Sequence, residues 1–149
     1  MKNTFLIGAF VLALFANTAM AQDLNKSQVP SVIVNNFQKS FPKAYDVEWE
    51  LDGENYKVEF ETGLLGADHD VWYNKTGALV RHKEEISKSD LPRKVLAKIS
   101  ADFGSYRVDD VKKITESGKV TYTLELKSIS EDWKVAFDKE GTVLSKIAD

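Results

Sequence analysis

Few residue types in this sequence could act as a catalyst at neutral pH. The chain has no cysteine, and its two histidines are His69 and His82. The ordinary pKa of histidine, close to 7, makes it suitable for proton transfer at neutral pH. However, neither histidine lies in a catalytic motif, and the sequence contains no nucleophile elbow. Members of a Ser-His-Asp triad need not be close in sequence, so spacing alone does not exclude a hydrolase. The lack of any signature favours a protein that is not an enzyme and has no catalytic residues.

The triplet Asp68-His69-Asp70 has the residue types of a metal site. Successive side chains of a β-strand point to opposite faces, so His69 should point away from both acids if this segment is a strand. The three side chains then cannot converge on one ion. Calcium-loop and phosphate-loop motifs are also missing from the sequence. We therefore expect a partly buried His69, no metal ligands and no cofactor.

Trp72 and nearby acids are the residues best suited to binding. Trp72 should lie on the strand face opposite Val71 and Tyr73, and a later copy of the same segment carries Ala136 at its position. An exposed aromatic ring can anchor a partner protein, and charges beside it set the rate and selectivity of association. A solvated acidic face without a partner is the alternative interpretation. The predicted binding residues are Trp72, Asp70, Glu48, Glu50, Glu59 and Glu61.

The segment that contains Trp72 belongs to a pattern that occurs twice. Residues 73–77 read YNKTG and residues 137–141 read FDKEG, each between two apolar stretches. Asn or Asp begins a tight turn by bonding to its own backbone, and glycine supplies the positive φ that closes such a hairpin. Each copy therefore predicts one β-hairpin.

Two amphipathic helices precede these hairpins. In each, apolar residues recur every four positions, and a proline lies where the first turn of a helix tolerates a missing N–H group. Such a stripe is typical of a helix that covers one face of a sheet. The two stripes are Val29, Ile33, Phe37 and Phe41, and Leu91, Val95, Ile99 and Phe103.

Alternating apolar and polar residues after each helix predict four strands per copy. We therefore predict an α+β fold of two tandem αββββ repeats, residues 29–84 and 91–149. In each repeat the helix packs on one face of a four-stranded antiparallel sheet and leaves the other face open. Residues 85–90 form a charged linker, and residues 22–28 a flexible N-terminus.

The first 21 residues predict export. Lys2 precedes an apolar run over residues 5–15 and the small-residue pattern at 19–21, which together indicate a cleaved signal peptide. The run is too short to span a bilayer, so we expect no membrane span after cleavage and a periplasmic or secreted protein. The formal net charge of −3 gives no basic footprint for nucleic acid.

This pattern resembles the PepSY-like family related to β-lactamase inhibitory proteins, which are exported bacterial proteins often built from tandem αββββ copies. The resemblance covers residues 29–147 and rests on the two helices and the two YNKTG-like hairpins. The known inhibitor carries disulfides, whereas this chain has no cysteine.

The resemblance implies a non-enzymatic binding module. We expect it to use the open face of its sheet as an inhibitor of, or a docking surface for, an exported protein or peptide. The alternative is a structural or envelope-stress protein that binds cations or wall components diffusely.

Overall fold

The computed structural model describes residues 21–149, so the predicted signal peptide lies outside the described residues apart from Ala21. The described chain has an α+β fold. Its α-helices are α1 (Ser31–Ser40) and α2 (Arg93–Asp102). Its strands are β1 (Gln22–Leu24), β2 (Tyr45–Asp52), β3 (Asn55–Thr62), β4 (Ala67–Tyr73), β5 (Leu79–Glu85), β6 (Arg107–Glu116), β7 (Lys119–Lys127), β8 (Asp132–Asp138) and β9 (Val143–Ala148).

The nine strands form a single antiparallel sheet in their sequence order, β1 to β9. The chain divides into two compact units. Within the described residues, the first unit comprises 21–84 and 115–118, and the second comprises 85–114 and 119–149. Within residues 21–149, neither helix is long and apolar enough to cross a membrane.

Each unit has its own apolar core beneath its helix. In the first unit Phe37 of α1 meets Trp49 and Phe60 edge-on, with ring centroids 5.3 and 5.0 Å apart. In the second unit Val95 and Ile99 of α2 are buried. Both helices therefore place their apolar stripe on the sheet, as the four-residue spacing predicts. The buried strand residues of the second core include Leu124, Leu126, Val135 and Phe137.

The repeated turns have the predicted chemistry. The Asn74 side-chain oxygen accepts hydrogen bonds from the N–H groups of Thr76 and Ala78, both at 3.0 Å. The Asp138 carboxylate accepts equivalent bonds from Glu140 and Thr142, both at 2.9 Å. A polar side chain at the first turn position thus closes both hairpins.

The ends of the predicted repeats differ from expectation. Residues 22–28, expected to be flexible, contain β1 and a 3-10 turn at Lys26–Gln28. β1 is ordered because it pairs with β2, with Asp23 opposite Glu50, and so covers the backbone groups of a strand that would otherwise be an edge. The predicted linker likewise contains a 3-10 turn at Lys88–Asp90.

The pairing of β3 with β4 separates two faces of the first unit. Val58 lies opposite Val71, and both are fully buried on the side of α1. Lys57 lies opposite Trp72 on the other side. We call this second side of β2–β5, which points away from α1, the outer face.

Candidate functional site

The six predicted binding residues lie on the outer face. Glu61 pairs with Tyr45 on one side and with Asp68 on the other. The other five lie in two rows that cross the strands, together with the basic residues of β3 and β5. The rows are Glu48, Glu59, Asp70 and Lys83, and Glu50, Lys57, Trp72 and Arg81.

Trp72 is half-buried and does not project as the exposed ring that the sequence pattern predicts. Its indole N–H donates a hydrogen bond to the Asp52 carboxylate at 2.7 Å. Three cations lie against the ring, with Arg81 at 4.8 Å, Lys57 at 5.6 Å and Lys83 at 6.0 Å from the centroid. Cation–π attraction and the Asp52 bond therefore fix the indole against the sheet.

The charges of the outer face are largely paired. Lys57 lies 3.4 Å from Glu50 and also contacts Glu59. Lys83 pairs with Asp70, whose side chain is only 15% exposed. Burial alone would lower the pKa of Lys57, but its hydrogen bond to Glu59 and the charges of Asp70, Glu59 and Glu50 raise it. The expected acidic surface is therefore a half-buried network in which acids outnumber bases.

The loop between β3 and β4 carries an apolar feature that sequence reasoning missed. Leu64 and Leu65 lie at its tip with exposed fractions of 104% and 100%. The Tyr45 hydroxyl donates a hydrogen bond to the carbonyl oxygen of Gly63 at 2.9 Å, which ties the loop to β2. In the second unit the loop between β7 and β8 exposes Ile129 in the same way. The sequence does contain a signal for this feature, because two leucines stand between Gly63 and Gly66 and belong to no apolar periodicity of a helix or strand.

His69 lies on the opposite side from the outer face, as the alternation predicts. Its ring stacks on Phe60 with centroids 4.9 Å apart, and it makes hydrogen bonds to Thr62 at 2.7 Å and His82 at 3.0 Å. Asp70 pairs instead with Lys83 on the outer face. His69 therefore points to the opposite face of the sheet from Asp68 and Asp70.

The chain matches a family model described as "Putative beta-lactamase-inhibitor-like, PepSY-like" over two regions, residues 17–80 and 54–145. Among curated proteins, none matches this chain.

Several solved structures from Bacteroides species have a similar fold. A protein of Bacteroides eggerthii described as "putative periplasmic" has a TM-score of 0.70 at 18% identity, covering 80% of this chain and 88% of that one. A DUF2874 family protein of Bacteroides uniformis has a TM-score of 0.69 at 18% identity with the same coverage. A BLIP-like protein of Bacteroides fragilis has a TM-score of 0.66 at 19% identity, covering 80% and 85%. At these identities the likeness concerns the fold.

Proposed function

Because this chain belongs to the β-lactamase-inhibitor-like, PepSY-like family, we propose that it is an exported, non-enzymatic module that binds another exported protein through the outer face of its first unit. The family description and the BLIP-like neighbour name inhibitor-like proteins and no catalytic relative. The predicted signal peptide supports export, and the neighbour described as periplasmic agrees with it. Within this proposal, the two halves of the chain are copies of one αββββ unit with different surfaces.

The single observation that carries the proposal is the pair of fully exposed leucines beside the outer face. Leu64 and Leu65 follow Glu61 and precede Asp68, so they adjoin the acidic end of that face. Burying one leucine side chain is favourable by about 1.5–3 kcal/mol, so the pair supplies the apolar anchor that an interface needs. Exposed apolar patches, in contrast to single exposed apolar residues, often mark interaction sites.

The charges of the outer face support a partner with a basic surface. Acids outnumber bases across β2–β5, so the complementary surface is basic and surrounds an apolar pocket for the two leucines. In this arrangement Trp72 holds Lys57 and Arg81 in place, and Glu48 and Glu59 form the charged rim. Such rim charges raise the association rate and make it sensitive to salt.

Diffuse binding of cations is less well supported. Lys57 contacts both Glu50 and Glu59, and Lys83 contacts Asp70, so two of these three negative charges are balanced. A free cation would have to displace a lysine that its neighbours hold at short range. The paired network therefore favours a protein partner over a general cation-binding surface.

Site-specific photocrosslinking in intact cells tests this function. A photoreactive amino acid is placed at Leu64 or Glu48 on the proposed surface, or at Lys39 on the exposed side of α1 as the control. We expect one protein adduct from the first two positions and none from Lys39. The adduct should decrease when Leu65 is changed to Ser in the same chain.

Two results would contradict the proposal. The first is equal crosslinking from Lys39 and Leu64, which would mean random collision. The second is the absence of any adduct from the outer face while the folded chain is present in the envelope.

A further inference from the structure

His69, His82 and Glu84 form a compact group on the side of the first unit that faces α1. Glu84 lies directly opposite His69 in the ladder between β4 and β5, and His82 lies opposite Val71. His82 and Glu84 are two residues apart on one strand, so both side chains point to the same face. The pairing of two neighbouring strands thus brings together two imidazoles and one carboxylate.

The distances within this group suit a single metal ion. His69 Nδ1 lies 3.0 Å from His82 Nε2, and the Glu84 Oε2 atom lies 3.9 Å from the first nitrogen and 3.8 Å from the second. The point in the plane of these three atoms that is equidistant from them lies about 2.1 Å from each, and a tetrahedral ion would lie slightly out of that plane. Zinc binds histidine nitrogen and carboxylate oxygen at about 2.0–2.2 Å. The three atoms therefore already surround a position of the right size.

The surroundings of His69 also suit a ligand. Its Nε2 atom lies 2.7 Å from the Thr62 hydroxyl, so a proton on Nε2 can be donated to Thr62, which leaves Nδ1 unprotonated. An ion bound at Nδ1 would replace the hydrogen bond that joins this atom to His82 Nε2. The side chains of His82 and Glu84 are 19% and 23% exposed, which leaves access for an ion and a water ligand.

The second unit shows that the fold does not require these residue types. In the ladder between β8 and β9, Trp133 lies opposite Ala148 and Val135 lies opposite Lys146, as His69 lies opposite Glu84 and Val71 opposite His82 in the first unit. There the Lys146 ammonium lies 3.8 Å from the centroid of the Trp133 ring. The same backbone arrangement thus carries Trp, Lys and Ala at the three positions equivalent to His69, His82 and Glu84.

We propose that His69, His82 and Glu84 bind one divalent transition-metal ion, zinc by the size and donor set of the site, with water as the fourth ligand. Two nitrogens and one oxygen form a donor set that zinc accepts in tetrahedral geometry. The ion would join β4 to β5 beneath the end of α1, where the Phe41 ring lies 5.5 Å from that of His82.

Zinc titration of the chain without an affinity tag tests this inference. The chain has two histidines and no cysteine, so imidazole-dependent binding can come only from His69 and His82. Calorimetry should give one Zn²⁺ per chain, and Co²⁺ should give the visible absorption of a tetrahedral site. Zinc should also shift the NMR signals of both imidazoles, a measurement that needs no substitution.

Four variants locate the site. Glu84→Gln and His82→Gln each remove a ligand, and Thr62→Val removes only the hydrogen bond to His69. Loss of such a supporting bond weakens metal binding by about 10- to 100-fold, and loss of a ligand should weaken it at least as much. Glu85→Gln, next to the site but exposed, is the matched control and should bind zinc like the parent.

Circular dichroism confirms that each variant is folded before titration. The inference is refuted if the parent binds no zinc, or if zinc leaves both imidazole signals unchanged. It is also refuted if folded His82→Gln binds zinc as tightly as Glu85→Gln does.

Discussion

Gly141 closes the hairpin between β8 and β9, where φ is +82° and a Cβ atom would stand 2.6 Å from the carbonyl oxygen of Lys94. That oxygen belongs to the backbone of the first turn of α2, so it cannot move aside as a flexible side chain could. Gly118 also has a positive φ, of +73°, but a Cβ atom there would meet nothing within 4 Å. Comparison of alanine substitutions at these two positions therefore distinguishes the cost of backbone strain from the cost of a steric clash.

The expected costs of alanine follow from these two environments. A residue with a side chain in the left-handed region costs about 1–2 kcal/mol, and the smaller entropy of the unfolded alanine chain offsets about 0.4–1 kcal/mol. Gly118→Ala should therefore lower the free energy of unfolding by about 1 kcal/mol. Gly141→Ala adds an overpacking cost of about 1–3 kcal/mol, for a total of about 2–4 kcal/mol.

Urea denaturation followed by circular dichroism measures both values, with the slope m expected to stay constant. The reasoning is wrong if Gly141→Ala lowers the free energy of unfolding by no more than Gly118→Ala does, since the contact with the Lys94 carbonyl oxygen would then add no cost.

Two further predictions concern the core of the first unit. Ile33→Ala, at a fully buried position of α1, should lower the free energy of unfolding by about 2–5 kcal/mol. Val32→Ala, at a position that is 44% exposed, should change it by about 0.5 kcal/mol or less. Equal midpoints of urea unfolding for the two variants would contradict this prediction. Burial, partly opposed by the Ser40 hydroxyl, raises the pKa of Tyr73 to about 12. The folded state thus favours the neutral phenol, and this stabilisation, at most about 2.7 kcal/mol, is present below pH 10 and lost as pH rises through 12. Between pH 10 and 12 the free energy of unfolding of Tyr73→Phe should therefore fall less than that of the parent. Equal slopes of this free energy against pH in the two proteins would refute the raised pKa of Tyr73.

The helices and hairpins could be predicted because their determinants are local. Pro30 and Pro92 directly precede α1 and α2. Asn74 and Asp138 bond to N–H groups within four residues of themselves. Patterns over so short a span can be read without knowledge of the rest of the chain.

β1 could not be predicted in this way. Gln22–Leu24 is short and polar, and no apolar alternation marks it as a strand. Its order comes from the backbone groups of β2, which lie far along the chain and pair with it. The single sheet of nine strands likewise depends on strand neighbours, which periodicity does not specify.

The outer face was predictable in composition but not in exposure. Alternation places Trp72, Asp70 and the acids of β2 and β3 on one face correctly. The cations that cover the indole include Arg81 and Lys83, which reach it only because β5 pairs with β4. The same pairing brings His82 to His69. Because the amino-acid pattern does not specify the order of the strands, neither arrangement can be predicted from it.

The most direct test of the proposed function is a calorimetric titration. The partner that crosslinking identifies is purified without the crosslink and titrated onto three forms of the chain. These are the parent, the double variant Leu64→Ser with Leu65→Ser, and Ile129→Ser, which alters an equally exposed residue in the corresponding loop of the second unit. An anchor worth about 2 kcal/mol corresponds to about a 30-fold change in Kd. We expect the double variant to bind at least about 30-fold more weakly and Ile129→Ser to bind like the parent. Parent-like binding by the folded double variant would contradict the proposed interface.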